Sequence, residues 1–219
     1  MTAPNIRTVD WYFDFISPFA FLQAELLASH PLALPIVCKP VLFAGLLEHW
    51  GQLGPAEIEA KRRFTYRYCL WRADTLGIQM RFPPAHPFNP LKLLRLAIAA
   101  GNNFDICLSL FRFVYCDGLS ADDAQAWQRL TEGLALPDAA TRIAAGEVKQ
   151  QLRQNGDEAV QSGVFGVPTL VAGEELFWGV DATEMCRAYL AGDAVFSSQE
   201  MSRLDAIPEA ARRARINKQ

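Results

Sequence analysis

An α/β fold, with one four-stranded sheet divided by a block of helices, is what the sequence predicts on three observations. The first forty residues read strand, helix, strand. The middle of the chain, roughly residues 45–145, carries only helical patterns. The third part reads helix, two short strands joined by a tight turn, and helix, which completes the order βαβ, helical block, αββα.

Each element has its own signal. Val9, Trp11, Tyr12, Phe13 and Phe15 form a nearly continuous apolar run, which suits a strand covered on both faces. Ser17 followed by Pro18 is a helix start, an N-cap hydroxyl before a residue with preset φ and no orphaned donor. Phe19, Leu22, Leu26 and Leu27 then recur at helical spacing until His30 and Pro31 stop them. Residues 35–40, bracketed by Pro35 and Pro40, read as a second strand, so the first unit is βαβ with a right-handed crossover. Residues 41–53 read as a loop around a short helical turn, because Gly45, Gly51 and Gly54 punctuate them.

From 55 to 76 the spacing predicts a long amphipathic helix that places Ile58, Phe64, Tyr68 and Trp71 on one face and Glu59, Arg62, Arg63 and Arg67 on the other, ended by Gly77. Residues 82–90 hold four prolines and exclude regular structure. Helical patterns follow over 91–100, 104–116, 121–133 and 137–145, with Asn102 and Ser120 as caps or breakers, and a polar-faced helix over 147–162 closes at Gly163. Residues 169–171 and 176–178 pair as an antiparallel hairpin, and a last helix over 182–190 has Asp181 available as its cap. The tail from 197 carries Arg212, Arg213, Arg215 and Lys218 and reads as a solvated helix or frayed end.

The composition excludes several function classes. Of 219 residues, 51% are hydrophobic and 21% charged, which provides a substantial core. A net charge of −3 argues against nucleic acid as a partner, since phosphate binding needs a concentrated basic surface. No stretch approaches the roughly 20 apolar residues that span a bilayer, and the first residues lack the apolar core of a secretion signal, so a cytoplasmic protein is expected. The five cysteines, at 38, 69, 107, 116 and 186, show no C-x-x-C spacing and are expected as buried free thiols. His30, His49 and His86 do not flank them at ligand spacing, so no metal site is expected.

Ser17 is the first candidate for chemistry. A hydroxyl stands where a buried strand meets a helix N-terminus, a place that favours anions. It can equally be a cap and nothing more.

Three segments together carry a resemblance: Phe-Asp-Phe-Ile-Ser-Pro-Phe at 13–19, Val-Phe-Gly-Val-Pro-Thr at 164–169 and Leu-Phe-Trp-Gly-Val-Asp at 176–181. With Lys-Arg-Arg-Phe at 61–64 in the first long helix of the middle block, they resemble 2-hydroxychromene-2-carboxylate isomerases and kappa-class glutathione transferases. The resemblance covers residues 8 to about 191. It implies a thioredoxin-like fold with an all-helical DsbA-type insertion: a thioredoxin-like domain from 8–44 and 146–192, an insertion at 45–145 and a tail at 193–219.

In this fold the first helix start commonly carries C-x-x-C. Here it reads Ser17, Pro18, Phe19, Ala20, and a hydroxyl cannot exchange disulfides. The resemblance implies instead that Ser17 donates to the thiolate of bound glutathione, with Phe19 beside it. It implies a cis bond at Pro168 that offers the Val167 backbone to the tripeptide, although an ordinary trans proline starting a strand fits the sequence too. Gly179, Val180 and Asp181 match the segment that holds the γ-glutamyl end, Asp181 also serving as a cap; Lys61 aligns with a lysine near the glycyl end, unless it is merely solvated. Gln52 stands where the family usually has Asn, Tyr68 where Asp is common, and His86 where Phe usually precedes proline, whereas Asn89 agrees with the pattern. Phe43, His86 and Asn89 are expected on the second substrate.

The implied function is a glutathione-dependent isomerase of an aromatic-degradation intermediate, working as a homodimer with glutathione as a recycled cofactor. Alternatives are a kappa-type transferase or peroxidase and a non-enzymatic thioredoxin-fold binding protein.

Overall fold

The structure is a computed structural model that describes residues 6–204 and 206–211. Strands β1 (Val9–Phe13), β2 (Ile36–Pro40), β3 (Thr169–Ala172) and β4 (Glu175–Trp178) form one sheet in the order β2-β1-β3-β4. β1 and β2 run parallel on either side of α1 (Pro18–Ser29), and β3 pairs antiparallel with both β1 and β4. The central strand is covered on both faces, as its apolar run requires. Trp11 and Phe13 pack with Leu170 and Phe177 in the larger core, while Tyr12 points the other way to Val41, Val171 and Ala159 of α8 (Gly146–Gln161). Strand alternation thus assigns one face to α1 and α9 (Thr183–Leu190) and the opposite face to α8.

Between β2 and α8 lie six helices: α2 (Phe43–Trp50), α3 (Glu59–Thr75), α4 (Leu91–Ala99), α5 (Phe104–Tyr115), α6 (Ala124–Gly133) and α7 (Ala139–Ala144). Two of them have side-chain caps, next to or near the expected Asn102 and Ser120 but not at them. Asn103 accepts from the Ile106 amide and starts α5, and Asp123 accepts from Ala126 and starts α6 three residues after the expected 121. At the other end, α10 (Gln199–Leu204) begins the tail, and Arg212, Arg213, Arg215 and Lys218 lie outside the described residues.

Two expectations change. Residues 43–50 are a complete helix, not a turn within a loop, ending at Gly51 in the left-handed conformation. The long helix has a 3-10 turn at Pro55–Glu57 before α3 begins at Glu59, and its expected apolar face is turned outward. Phe64 is 67% exposed and Trp71 57%, whereas Cys69 and Ala73 are buried. The small residues permit close approach to α1, and half-buried Tyr68 joins the outward rings to it: Phe64 stacks on Tyr68 at 5.9 Å, Tyr68 meets Trp71 at 5.8 Å, and Tyr68 also packs on Phe19 of α1 at 6.0 Å.

A fully buried amide locks the two halves of the sheet domain together. Gln23 of α1 accepts from the Trp11 indole at 2.8 Å, and its nitrogen donates to the Gly179 carbonyl at 3.1 Å and to Thr183 Oγ1 at 2.9 Å. Every polar atom of the side chain is satisfied, which is what burial demands. Gln23→Leu removes all three partners while keeping the volume. It is expected to destabilise the protein by about 2–4 kcal/mol, read from chemical denaturation, because the indole N–H and the Gly179 carbonyl are left buried and unpaired.

Candidate active site

The turn between β1 and α1 is built by a buried carboxylate. Asp14 is wholly buried at the end of β1. One oxygen accepts from the Ile16 amide at 3.0 Å and the other from the Phe43 amide at 2.9 Å, while its carbonyl accepts from the Ser17 amide at 3.0 Å. The first helix start and the first residue of α2 are therefore fixed to the same side chain. Burial pushes the Asp14 carboxyl up to about 7, outweighing the two amides that favour its charge.

Ser17 caps α1 as expected: Oγ accepts from the Ala20 amide at 3.2 Å. The same hydroxyl faces the Val167 carbonyl at 3.5 Å, across 150 residues of sequence. The Val167–Pro168 peptide is cis. Among the described residues, neither the Phe19 nor the Val167 amide makes a backbone hydrogen bond, which leaves two donors beside the hydroxyl.

A cavity of about 630 Å³ opens at this junction. It brings together Ser17, Phe19, Phe43, Gln52, Lys61, His86, Asn89 and Val167, drawn from four separate stretches of the chain. Pro168, Gly179, Val180 and Asp181 do not line it. They sit one step behind the wall: the Gly179 amide donates to the Pro168 carbonyl at 2.8 Å, and Trp178, which does line the cavity, precedes Gly179. Asp181 is exposed, and its expected capping role is not met, since Ala182 holds the N-cap position of α9 without a side-chain bond.

Sequence patterns single out neither Asp14 as a lining residue nor Tyr66, Arg62 and Trp178, which also line the cavity. An acid inside an apolar run was the one signal for Asp14. Tyr66 carries no such signal, because its partner lies in the proline-rich loop. His86 Nε2 contacts the Ile16 carbonyl at 2.7 Å, and the single proton of the Tyr66 hydroxyl is shared between His86 Nδ1 at 2.7 Å and the His86 carbonyl at 2.6 Å. A carbonyl only accepts, so Nε2 carries the proton in the neutral ring. Burial holds the His86 pKa below its ordinary value, which keeps the ring neutral near pH 7. Tyr115 also donates to the Ile16 carbonyl at 2.9 Å, so Ile16 is held from two sides. The His86–Pro87 bond is a second cis peptide that the sequence does not announce.

The DSBA-like thioredoxin domain matches residues 8–191. The chain belongs to that family. Two curated relatives match most of its length. It is 27% identical over 181 residues to glutathione S-transferase kappa 2 of Caenorhabditis elegans, covering 75% of this chain and 80% of that one. It is 26% identical over 180 residues to a 2-hydroxychromene-2-carboxylate isomerase of Pseudomonas putida, covering 79% and 89%. A solved 2-hydroxychromene-2-carboxylate isomerase superposes with a TM-score of 0.76 at 22% identity, covering 91% of this chain and 98% of that one, and so shares its fold. The family's DsbA-type sheet with inserted helices is the fold observed.

The position of Asp14 makes stability depend on pH. The unfolded chain sheds this proton near 3.8 and the folded chain near 7, so folding binds the extra proton between those values. Stability from this group therefore falls as pH rises from about 4 to about 7, by on the order of a few kcal/mol, and is level above. His86 works the other way, losing stability as pH falls below its ordinary 6.5. Denaturation of wild type and Asp14→Asn across pH 4–8 isolates the carboxylate, because the His86 contribution is common to both. The stability difference, wild type minus variant, is expected to decline up to about pH 7 and then flatten.

Proposed function

We propose that the protein is a glutathione-dependent isomerase that acts on an aromatic-pathway compound of the 2-hydroxychromene-2-carboxylate class. The observation that carries the proposal is the meeting of Ser17 with the Val167 carbonyl at a helix start, inside a cavity with cationic and apolar walls. The volume of about 630 Å³ lies within the roughly 300–1,000 Å³ usual for small-molecule sites. Both kinds of named relative, an isomerase and a kappa-class glutathione transferase, support the reading.

The donor set fits glutathione. Lys61 and Arg62 of α3 offer positive charge to a carboxylate, and the unpaired Val167 amide offers a backbone donor to a peptide. When bound, glutathione supplies a nucleophilic sulfur that turnover regenerates. An ordinary thiol is mostly protonated at neutral pH. The Ser17 hydroxyl and the Phe19 amide at the N-terminus of α1 favour the charged form. Ser17 has a proton to give, because its bond to Val167 is at the limit of hydrogen-bond length and a closer anion replaces it at little cost. Asp14 would oppose an anion here if fully charged, and burial keeps it partly protonated near pH 7. Phe43, Leu47 and Phe88 give the cavity an apolar wall for an aromatic substrate, and the neutral His86 adds no charge to it.

The same reading includes a homodimer. The exposed Phe64, Leu70 and Trp71 on α3 support it, with half-buried Tyr68 between Phe64 and Trp71, as an exposed apolar patch of this kind suits a subunit contact. Wild type is expected to scatter light as a dimer, and Phe64→Glu with Trp71→Glu as a folded monomer.

Ser17→Ala is expected to keep the fold, to lose about 1 kcal/mol through the missing cap, and to lower turnover by roughly 10²–10³-fold, the effect of removing one oxyanion-type donor. Full activity in a folded variant reduces Ser17 to a cap. Glutathione consumed one-for-one with product identifies a kappa-type transferase instead. Millimolar glutathione that leaves the melting temperature unchanged favours a protein without this cofactor.

A further inference from the structure

Helix α2 is a wall with two working faces. Phe43, Ala44 and Leu47 line the cavity described above, while Gly45, Leu46 and His49 line a second cavity of about 480 Å³. This second cavity lies among α2, α4 and α8. Its apolar lining includes Leu46, Leu91 and Leu152, and its charged lining is Arg95 from α4, Lys149 and Arg153 from α8, and the carboxylate of Asp157. Lys149 and Arg153 are four residues apart on one helix, a spacing that places both on the same side.

The cations here are unusual in two respects. None of the three side chains takes part in an ion pair or hydrogen bond among the described residues, in a chain whose net charge is −3. In addition, Arg95 Nε is buried with no hydrogen-bond partner, and it alone of the buried side-chain nitrogens and oxygens in the described residues lacks one. A buried donor on a cation without an acceptor is unfavourable, and native proteins rarely keep one without a reason. Three cations against one carboxylate leave an excess of positive charge, and a concave apolar floor strengthens the field of that charge.

We propose that this cavity is a second binding site, for a small organic dianion with an apolar body. Its carboxylate or phosphate groups meet Arg95, Lys149 and Arg153, and its body lies on Leu46, Leu91 and Leu152. The excess of charge selects a dianion over a monoanion, and the leucines select an organic ligand over an inorganic one. The site lies across α2 from that of glutathione, the two cavities sharing Leu42 and Leu91 where they adjoin, and it stands whether or not the proposed reaction is correct.

Titration calorimetry with phthalate, phenyl phosphate and inorganic phosphate tests the site on wild type and on Arg95→Gln, Arg153→Gln and Lys61→Gln. Phthalate or phenyl phosphate is expected to bind more tightly than inorganic phosphate. Whichever of the two binds more tightly identifies the favoured anionic group, and added salt weakens both. Loss of either arginine is expected to weaken binding by about tenfold or more, the equivalent of one charge-assisted hydrogen bond, whereas Lys61→Gln leaves it unchanged. Arg153 is exposed, so its variant remains informative if Arg95→Gln fails to fold. No binding at millimolar concentration overturns the proposal. So does binding that is lost in Lys61→Gln and kept in Arg153→Gln, which assigns the anion to the first cavity.

Discussion

The candidate active site depends on one carboxylate taken out of water. Asp14 sits where β1 ends, and its two oxygens hold the amides of Ile16 and Phe43. These belong to the turn before α1 and to the start of α2, so the carboxylate extends the contact that the Val41 amide makes with the Phe13 carbonyl at 2.9 Å. A neutral side chain of the same size could accept at one oxygen but would turn a second donor toward the other amide. The acid is therefore the group that satisfies both backbone donors at once, and its raised pKa is the free-energy consequence of putting a charge there. Ile16 is then fixed at its carbonyl as well, by His86 and Tyr115. With the turn held in this way, the Phe19 amide is left without a backbone partner and the Ser17 hydroxyl donates only across a long 3.5 Å contact to Val167.

Much of this was legible in the sequence because it rests on short-range chemistry. The apolar run at 9–15, the Ser17–Pro18 start and the short hairpin at the end follow from strand burial, capping and turn geometry, and each element formed where those rules place it. Helix α2 was not legible, since its N-cap is Leu42 with no side-chain bond, and glycines at 45 and 51 look like loop punctuation. The face of α3 was misread for a different reason. Spacing shows that Ile58, Phe64, Tyr68 and Trp71 share a side, but not whether the chain's own core lies on that side. Cys69 and Ala73 take the buried position on the side where α1 passes close by, and of the rings only Tyr68 reaches α1, at Phe19.

The site divided along the same line. Residues on regular elements or in the motif segments, such as Ser17, Lys61 and Val167, were found at the cavity. The cradle of His86, Tyr66 and the Ile16 carbonyl joins three segments with no common periodicity, so only the folded chain reveals it. Gly179, Val180 and Asp181 show the converse. Their motif is present, yet the backbone of Gly179 is engaged with Pro168 and Gln23, and the Asp181 side chain faces solvent outside the cavity. A contact between these residues and a ligand must therefore pass around Trp178, whose indole lies over Gly166. That ring is 55% exposed and packs on Phe165 at 5.0 Å, and it is the side chain that stands between the motif and the cavity.

The two roles of Ser17 are compatible because they use different parts of one hydroxyl. Capping draws on an oxygen lone pair, which accepts the Ala20 amide, and anion binding draws on the proton, which now reaches weakly toward Val167. A cap of the acidic kind would satisfy the same amide and place a negative charge where the proposed thiolate must sit. An asparagine would cap without charge but present a longer, branched side chain to the cavity. Serine is the smallest residue that caps the helix and retains a donor, so at this position the requirement of the fold and that of the proposed chemistry select the same side chain.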